Sequence, residues 1–319
     1  MALRPDQVET ILKAINERTM PAPLSRPITP AQIAYVEQQL PAAFEAIGIR
    51  TVTDAAMKAT LASDTHLYTL RERALYVQPA ELLSRRFFRF RDRMPALHTT
   101  LVRLFTDAAG VGQHKIRLWN PFCGCGADTY SLAALARLAK GATGAQGGTI
   151  EVIGTDVLPG CLQYAERGVY EFRRSEWQAH VAKLTELFGP EAAGEDAFLP
   201  ISTRHLPAGV EPLFAVNRLP DMSYAISPNA ELRKMTKFRA VNPLRIAELG
   251  QLGSFEAVAS FHRSVVSDMP YGRQYRTALA YAVRPGGYLI LPATPEPPPD
   301  ITAAGGFEMR EPGLFCRVR

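Results

Sequence analysis

The sequence predicts an α/β protein, an open and mostly parallel sheet preceded by a small helical domain. Three observations carry this expectation. From about residue 85 onward, short apolar runs alternate with helical patterns, the order that a parallel sheet with crossover helices requires. Within that region Ile116 and Leu118 alternate with polar residues and end in Trp119-Asn120-Pro121. A loop containing Gly124 and Gly126 follows, and Asp128-Thr129-Tyr130-Ser131 then opens a helix running through LAALARLAK. Glycines at a strand-to-helix turn let backbone N–H groups approach a ligand at the sheet edge where α/β proteins bind nucleotides. The third observation is the next strand, IEVIGTDV, which ends in Asp156. A carboxylate at the tip of the second strand is placed to accept both hydroxyls of a ribose. A G-x-G spacing alone is only part of a dinucleotide fingerprint, but with Asp156 it points to an adenosine-type cofactor.

A chain of 319 residues favours two domains over one. We place an N-terminal helical domain at 1–82 and the cofactor-binding domain at 83–319. In the first, helices are expected at Asp6 to Arg18, Thr29-Pro30 to Ile47 and Val52 to Ala62. Thr29 before Pro30 is a good N-cap and N1 pair. Ile33, Val36, Leu40 and Phe44 form one apolar stripe, and prolines 21, 23 and 27 punctuate the preceding link. Residues 189–230 interrupt the strand–helix alternation with Gly-Pro and scattered prolines. They read as a long irregular insertion with one hairpin at about 222–241. PEPPPD at 295–300 is a stiff turn, and no internal repeat is found.

Hydrophobic residues make up 47% of the chain and charged residues 21%, the balance of a globular protein with a sizeable core. The N-terminus carries charge early and does not read as a secretory signal. No apolar run approaches the roughly 20 residues that span a bilayer. The cysteines Cys123, Cys125, Cys161 and Cys316 lack a repeating spacing, so reduced thiols and a cytoplasmic location are expected rather than a disulfide framework. Zinc wants four ligands, and one Cys-x-Cys does not supply them. No metal site is expected.

The densest charge feature is SRRFFRFRDR, residues 84–93. One reading buries the phenylalanines and leaves the arginines in water. A second is a nucleic-acid contact, in which arginines and interleaved aromatics grip phosphates and stack bases. The net charge of +5 permits that, but the patch is short. A third places one guanidinium in an active site.

Taken in order, Phe87-Phe88-Arg89, GCGADTYSLAALA, IGTDVLPGCLQYAERGVY, FRAVNPL and VRPGGYLIL resemble successive motifs of the CheR-type, S-adenosylmethionine-dependent methyltransferases of bacterial chemotaxis. In that family the glycine loop reads roughly S-T-G-E-E-P-Y-S, the second strand ends in T-D-I, and an A-x-x-G-x-Y pattern follows. The resemblance runs from about Arg85 to the C-terminus, and the first 80 residues match poorly. It implies a class I methyltransferase-like (Rossmann-like) sheet, S-adenosylmethionine as cofactor and S-adenosylhomocysteine as product. The acceptor it implies is a glutamate carboxylate on a protein, such as a chemoreceptor cytoplasmic helix or another signalling protein.

By the same resemblance Arg89 lines the active site near the transferred methyl group, as the one candidate catalytic residue. Gly124 and Gly126 form the cofactor loop, and Asp128 receives the cofactor's amino group. Asp156 stands at the ribose, Asn242-Pro243 flank the adenine, and His262 stands where the family has a cofactor-bonding Asn. Read from the residues alone, Asp128 is equally a helix N-cap and Asp156 a turn residue. Some positions depart from the family. Ser260-Phe261-His262-Arg263 replaces F-C-R-N, Val266 stands in place of a tyrosine, and Pro292-Ala293-Thr294-Pro295 replaces G-x-S-E. Arg85 replaces a hydroxyl residue, and the 189–230 stretch replaces a small β-subdomain that recognises receptor tails.

Methyl transfer to an ionised carboxylate needs no general base, so the absence of a proton-relay constellation does not count against this chemistry. Alignment of the two reactants carries the catalysis. Two functions remain open from the sequence. One is an active methyltransferase on a protein glutamate or a divergent acceptor. The other is a catalytically inactive CheR-like regulatory module that binds cofactor or a protein partner.

Overall fold

The computed structural model describes residues 3–18, 30–63, 66–67, 70, 87–88, 94–112, 115–144, 148–157, 159–172, 213–218, 224–243, 246–261, 270–292, 301 and 306–318. They fall into two compact units, divided before Ser84.

The first unit holds α1 (Pro5–Arg18), α2 (Pro30–Ala46) and α3 (Asp54–Ala62). Val8, Ile11, Leu12 and Ile15 recur at helical spacing on α1 and pack in one core with Val36, Leu40 and Phe44 of α2 and Met57 of α3. Ile33 is only partly buried against that core. Thr53 caps α3, its Oγ1 accepting from the Ala56 N–H at 3.1 Å, which satisfies one of the helix's unpaired first-turn donors.

The second unit begins with α4 (Met94–Gly110), β1 (Lys115–Pro121), α5 (Ala127–Ala142), β2 (Thr149–Asp156) and α6 (Pro159–Arg167). Then come β3 (Tyr170–Phe172), β4 (Phe214–Arg218), β5 (Tyr224–Pro228), α7 (Ala230–Met235), β6 (Thr236–Ala240) and α8 (Ile246–Gly250). It ends with β7 (Phe255–Ala259), α9 (Pro270–Ala282), β8 (Val283–Ile290), β9 (Phe307–Glu311) and β10 (Leu314–Arg317). The main sheet has seven strands in the order β6-β2-β1-β7-β8-β10-β9. β6 through β8 run parallel, and β10 is antiparallel to both of its neighbours. This is the class I methyltransferase-like arrangement. β1 and β7 lie side by side although β1 is followed in sequence by β2, so the strand order reverses between them. The crevice beyond strand tips at such a reversal is where open α/β sheets bind ligands.

The central strands are buried on both faces, with all five residues of β7 buried, as expected of a parallel sheet covered by helices. Trp119 of β1 stacks on Phe255 of β7 with ring centroids 5.5 Å apart. Its indole N–H donates to Thr155 Oγ1 at 2.9 Å, which joins β1 to β2 through the core.

At the N-terminal ends of the strands, away from the crevice, charges alternate across the sheet. Glu151 of β2 binds Lys237 of β6 at 2.6 Å and Lys115 and Arg117 of β1 at 3.0 Å each. Glu256 of β7 accepts the Arg117 backbone N–H and pairs with Arg284 of β8 at 3.0 Å. Burial alone would raise the Glu151 pKa, but the hydrogen bonds from the three cations outweigh it and hold the carboxyl at about 2.

The structure corrects one expectation. The hairpin lies at 214–228 and not at 222–241. β4 and β5 pair antiparallel, and β3 completes a three-stranded sheet in the order β3-β5-β4. A small antiparallel sheet therefore does form around the stretch read as an irregular insertion. Residues 236–240, placed in the hairpin on sequence, are instead the third parallel strand of the main sheet. Tyr224 and Tyr170 make β3–β5 strand-like, but Pro228 and Asn229 mark the end of the hairpin rather than its turn.

Candidate functional site

β1 ends at Pro121, and the five residues from Phe122 to Gly126 turn the chain into α5. Phe122, Gly124 and Gly126 all adopt positive φ, at 49°, 54° and 85°. The loop is thus wound tightly, with the Cys123 N–H on Thr155 O at 2.9 Å and the Gly126 N–H on Cys123 O at 3.0 Å. Gly126 is the N-cap of α5 and offers no side-chain cap. A Cβ at Gly126 would meet Ala165 Cβ at 2.6 Å and the Phe238 ring at 2.9 Å. Glycine is required at 126 by backbone conformation and by packing against α6 and β6.

Asp156 sits at the tip of β2, 4% exposed, and clamps this loop. One carboxylate oxygen, Oδ2, accepts the Gly124 N–H at 2.8 Å. The other, Oδ1, accepts the N–H of Val157 at 2.8 Å. The plane of the carboxylate is therefore fixed at the sheet edge. The Asp156 carbonyl in turn accepts from the Val241 N–H at 3.2 Å, which brings the start of the Asn242-Pro243 turn alongside. The Asn242 N–H donates to the Glu248 carboxylate of α8 at 2.8 Å, and Pro243 is buried.

Asp128 is not the N-cap that a residue-by-residue reading allowed. It is the second residue of α5 and 5% exposed, in the first turn, where the helix dipole favours a carboxylate. Burial pushes the Cys123 thiol up, and the nearby Asp156 and Asp128 carboxylates push it further. Both acids therefore bear on the same loop. Cys123 is accordingly a protonated thiol at neutral pH and no nucleophile.

Asn120, which sequence reasoning passed over, ties the strand reversal together. Its amide N–H donates to Ala259 O at the tip of β7 at 2.9 Å, and its amide oxygen accepts from the Thr129 hydroxyl at 2.8 Å. The signal was present, since a buried Asn at a strand end must find partners for both halves of its amide.

A cluster of rings holds the loop from behind. The hydroxyl of Tyr170, fully buried, donates to Cys125 O at 2.6 Å. Its ring meets Phe87 edge-on at 4.7 Å and Tyr164 at 5.5 Å. Phe87 and Phe88 both contact Phe214 of β4, at 5.0 and 5.9 Å. The Phe88 N–H donates to Ser131 Oγ of α5 at 2.9 Å. So Phe87 and Phe88, two of the three phenylalanines of the arginine-rich segment, are buried, and the residue before Arg89 is pinned to the helix that follows the glycine loop.

The structure thus brings together Gly124, Gly126, Asp128, Asp156, Asn242 and Pro243 at the C-terminal edge of β1, β2 and β6. Arg89 and His262 lie outside the described residues, as do Arg85, Arg263 and Val266. Among the described residues no group of three or more His, Cys, Asp or Glu is placed to hold a metal ion, and no helix is long and apolar enough to cross a membrane.

Residues 84–184 match the family described as CheR methyltransferase, SAM binding domain. A chemotaxis protein methyltransferase of Listeria monocytogenes is 34% identical over 101 residues, covering 30% of this chain and 35% of that protein. Its counterpart in Listeria innocua is 32% identical over 91 residues, covering 28% of this chain and 31% of that protein. The match thus spans about a third of the length of these curated relatives. Among solved structures, an rRNA methyltransferase from Streptomyces viridochromogenes is 15% identical with a TM-score of 0.33, covering 68% of this chain and 84% of that one. A glycopeptide N-methyltransferase complexed with S-adenosyl-L-methionine is 13% identical with a TM-score of 0.28, covering 62% and 56%. Those two likenesses are too slight to bear on function. Over residues 84–184 the chain is thus similar to the CheR methyltransferase SAM binding domain, a domain that takes S-adenosylmethionine as cofactor.

Proposed function

We propose that this CheR-type S-adenosylmethionine-binding domain is a methyltransferase acting on a carboxylate, either a protein glutamate or a divergent acceptor. The observation that carries the reading is the clamp of Asp156 on Gly124, 2.8 Å from Oδ2 to the backbone nitrogen. It joins the two cofactor motifs into one site inside the matched segment. The donor set fits the group. A carboxylate has about four lone-pair sites, and Asp156 holds its plane toward the crevice through its backbone contacts, as a partner for ribose hydroxyls. Asp128 offers negative charge beside the loop for a cationic amino group, and Pro243 an apolar surface for an adenine face. Gly124 and Gly126 keep the loop backbone close to the strand tips.

Bound S-adenosylmethionine supplies a methyl group on a sulfonium, an electrophile that an ionised carboxylate attacks without a general base. This chain's part is to bind, orient and exclude water. Arg89 follows directly on Phe88, whose N–H is held by Ser131. A guanidinium there holds the acceptor carboxylate by a bidentate fork. His262, one residue beyond Phe261 after β7, contributes to the cofactor side. The acceptor belongs to a cytoplasmic protein, such as a chemoreceptor helix or another signalling protein.

A second reading, a CheR-like module that binds cofactor without turnover, is favoured by one observation. At the tip of β7 the Ser260 hydroxyl is spent on Tyr275 Oη, 3.0 Å away, and both residues are fully buried. The polar groups that stand here in the family are thus not replaced by Ser260.

Calorimetric titration with S-adenosylmethionine and its demethylated product tests both readings. Wild type is expected to bind, and Asp156→Ala to bind about 1.5–3 kcal/mol more weakly, the range for a hydrogen bond to a charged group. Wild-type affinity in a folded Asp156→Ala protein refutes the assignment of this carboxylate. Labelled methyl transfer into a cytoplasmic protein extract separates enzyme from module, since a protein that binds cofactor tightly yet labels nothing is the module.

A further inference from the structure

At the start of β2, roughly 20 Å along that strand from Asp156, lies a second concavity, at the opposite end of the sheet from the crevice. Its volume is about 600 Å³, within the range of small-molecule sites. α5, α7 and the turn from α5 into β2 form its walls.

Arg137 and Lys140 stand three residues apart on α5, and Glu231 and Lys234 three apart on α7, so each pair shares one helix face. The Arg137 guanidinium donates to the Glu231 carboxylate, which sets those faces opposite one another. Three residues further along each helix both side chains are lysines, and both line the cavity. The Lys140 ammonium donates to Gly148 O at 2.6 Å, which fixes it at the wall with two of its three donors to spare. Lys234 is exposed and has no hydrogen bond or ion pair among the described residues. The turn from 141 to 148, Gly-Ala-Thr-Gly-Ala-Gln-Gly-Gly, supplies no carboxylate. Arg137, Lys140 and Lys234 thus face the single carboxylate of Glu231 around the cavity, and positive charge is in excess.

Lysines in the last turn of a helix commonly answer its dipole, but here the end carbonyls have other partners. Ala139 O and Gly141 O accept from the Thr143 N–H, and Lys140 O accepts from the Thr143 hydroxyl at 2.8 Å. On α7, Leu232 O accepts from the Thr236 N–H. The ammonium groups of Lys140 and Lys234 are therefore left to the cavity. Ile150 and Met235, both half-buried, add apolar wall beside them.

We propose that this cavity binds a phosphate monoester of about nucleotide size, its phosphate between Lys140 and Lys234 and its organic part against Ile150 and Met235. Near pH 7 such a phosphate carries a charge of about −1.5 to −2 and three acceptor oxygens. It takes a donor from each lysine in charge-assisted hydrogen bonds and offsets the excess of positive charge. The organic part fills volume that a bare phosphate ion leaves open.

Calorimetric titration of the full chain with AMP and with inorganic phosphate tests the site. Wild type is expected to bind AMP, and inorganic phosphate more weakly. Lys234→Gln should weaken AMP binding by about tenfold or more, the loss of one hydrogen bond to a charged group. Lys140→Gln should do the same. Lys234 is exposed and unpaired, so its replacement spares the fold even if that of Lys140 does not. Asp156→Ala, in the crevice, should leave AMP affinity unchanged, so the result stands apart from the fate of the cofactor assignment. A wild type that binds no AMP at several millimolar overturns the proposal. So does AMP binding indifferent to Lys234→Gln, or inorganic phosphate binding as tight as that of AMP.

Discussion

Gly126→Ala tests how the cofactor loop is built. Its φ of 85° puts an L-residue in the left-handed region, at a cost of about 1–2 kcal/mol. The added methyl would sit 2.6 Å from Ala165 Cβ and 2.9 Å from the Phe238 ring, contacts that real Cβ atoms do not make. Overpacking of this kind costs about 1–3 kcal/mol, so the expected loss is about 2–5 kcal/mol. For a domain of this size that is a fall in melting temperature of roughly 5–15 °C. Urea unfolding followed by circular dichroism measures it. Adding Ala165→Gly removes the nearest clash but not the backbone cost. It should return part of the overpacking loss, less the roughly 1 kcal/mol that glycine costs within a helix. A Gly126→Ala protein within 1 kcal/mol of wild type, but with cofactor affinity lost, would refute the packing argument. In that event glycine at 126 would serve the ligand's approach instead.

Tyr170→Phe keeps the ring contacts with Phe87 and Tyr164 but leaves Cys125 O without the donor it has at 2.6 Å. Losing one such buried hydrogen bond costs about 0.5–1.5 kcal/mol. The variant should be less stable by that amount in urea titration and should bind S-adenosylhomocysteine several-fold more weakly; no change in either would show that the bond does not brace the loop. Glu151 gives a pH dependence. Its folded pKa of about 2 lies below the ordinary 4.5, so its contribution is fully present above about pH 4.5 and fades as pH falls toward 2. Stability curves of wild type and Glu151→Gln should therefore converge as pH falls through that window, and parallel curves would refute the coupling.

The elements legible in the sequence are those in which local pattern and tertiary role coincide. β1, the glycine loop and α5 were readable because alternation, turn residues and helical periodicity all describe short-range structure. The same is true of Val36, Leu40 and Phe44 on α2. β6 was not readable as a strand of the main sheet. Thr236 is buried but polar and Phe238 only partly buried, while Lys237, Arg239 and Ala240 are exposed, so an edge strand gives little periodic hydrophobic signal. Its identity depends on parallel pairing with β2, Val152 beside Thr236 and Asp156 beside Ala240, a contact across some 84 residues that no local pattern encodes.

In the site, the glycines and Asp156 were visible as residue types, but their division of labour was not. Asp156 reads from sequence either as a ligand for ribose or as a turn residue after the strand. In the structure its two oxygens first satisfy the backbone of Gly124 and Val157, so removing it disturbs the loop along with any ligand contact. Gly126, read as a residue that admits the cofactor, is demanded by Ala165 and Phe238. The same reasoning extends to the arginine-rich segment. Its buried phenylalanines do not compete with a functional arginine, because the Phe87–Tyr170 and Phe88–Ser131 contacts are what would aim the next residue. Under the proposed function, packing and chemistry, weighed as alternatives from the sequence, become successive parts of one arrangement. Tyr170 is the link, since one side chain touches both the cofactor loop, through Cys125 O, and the segment leading to Arg89, through Phe87.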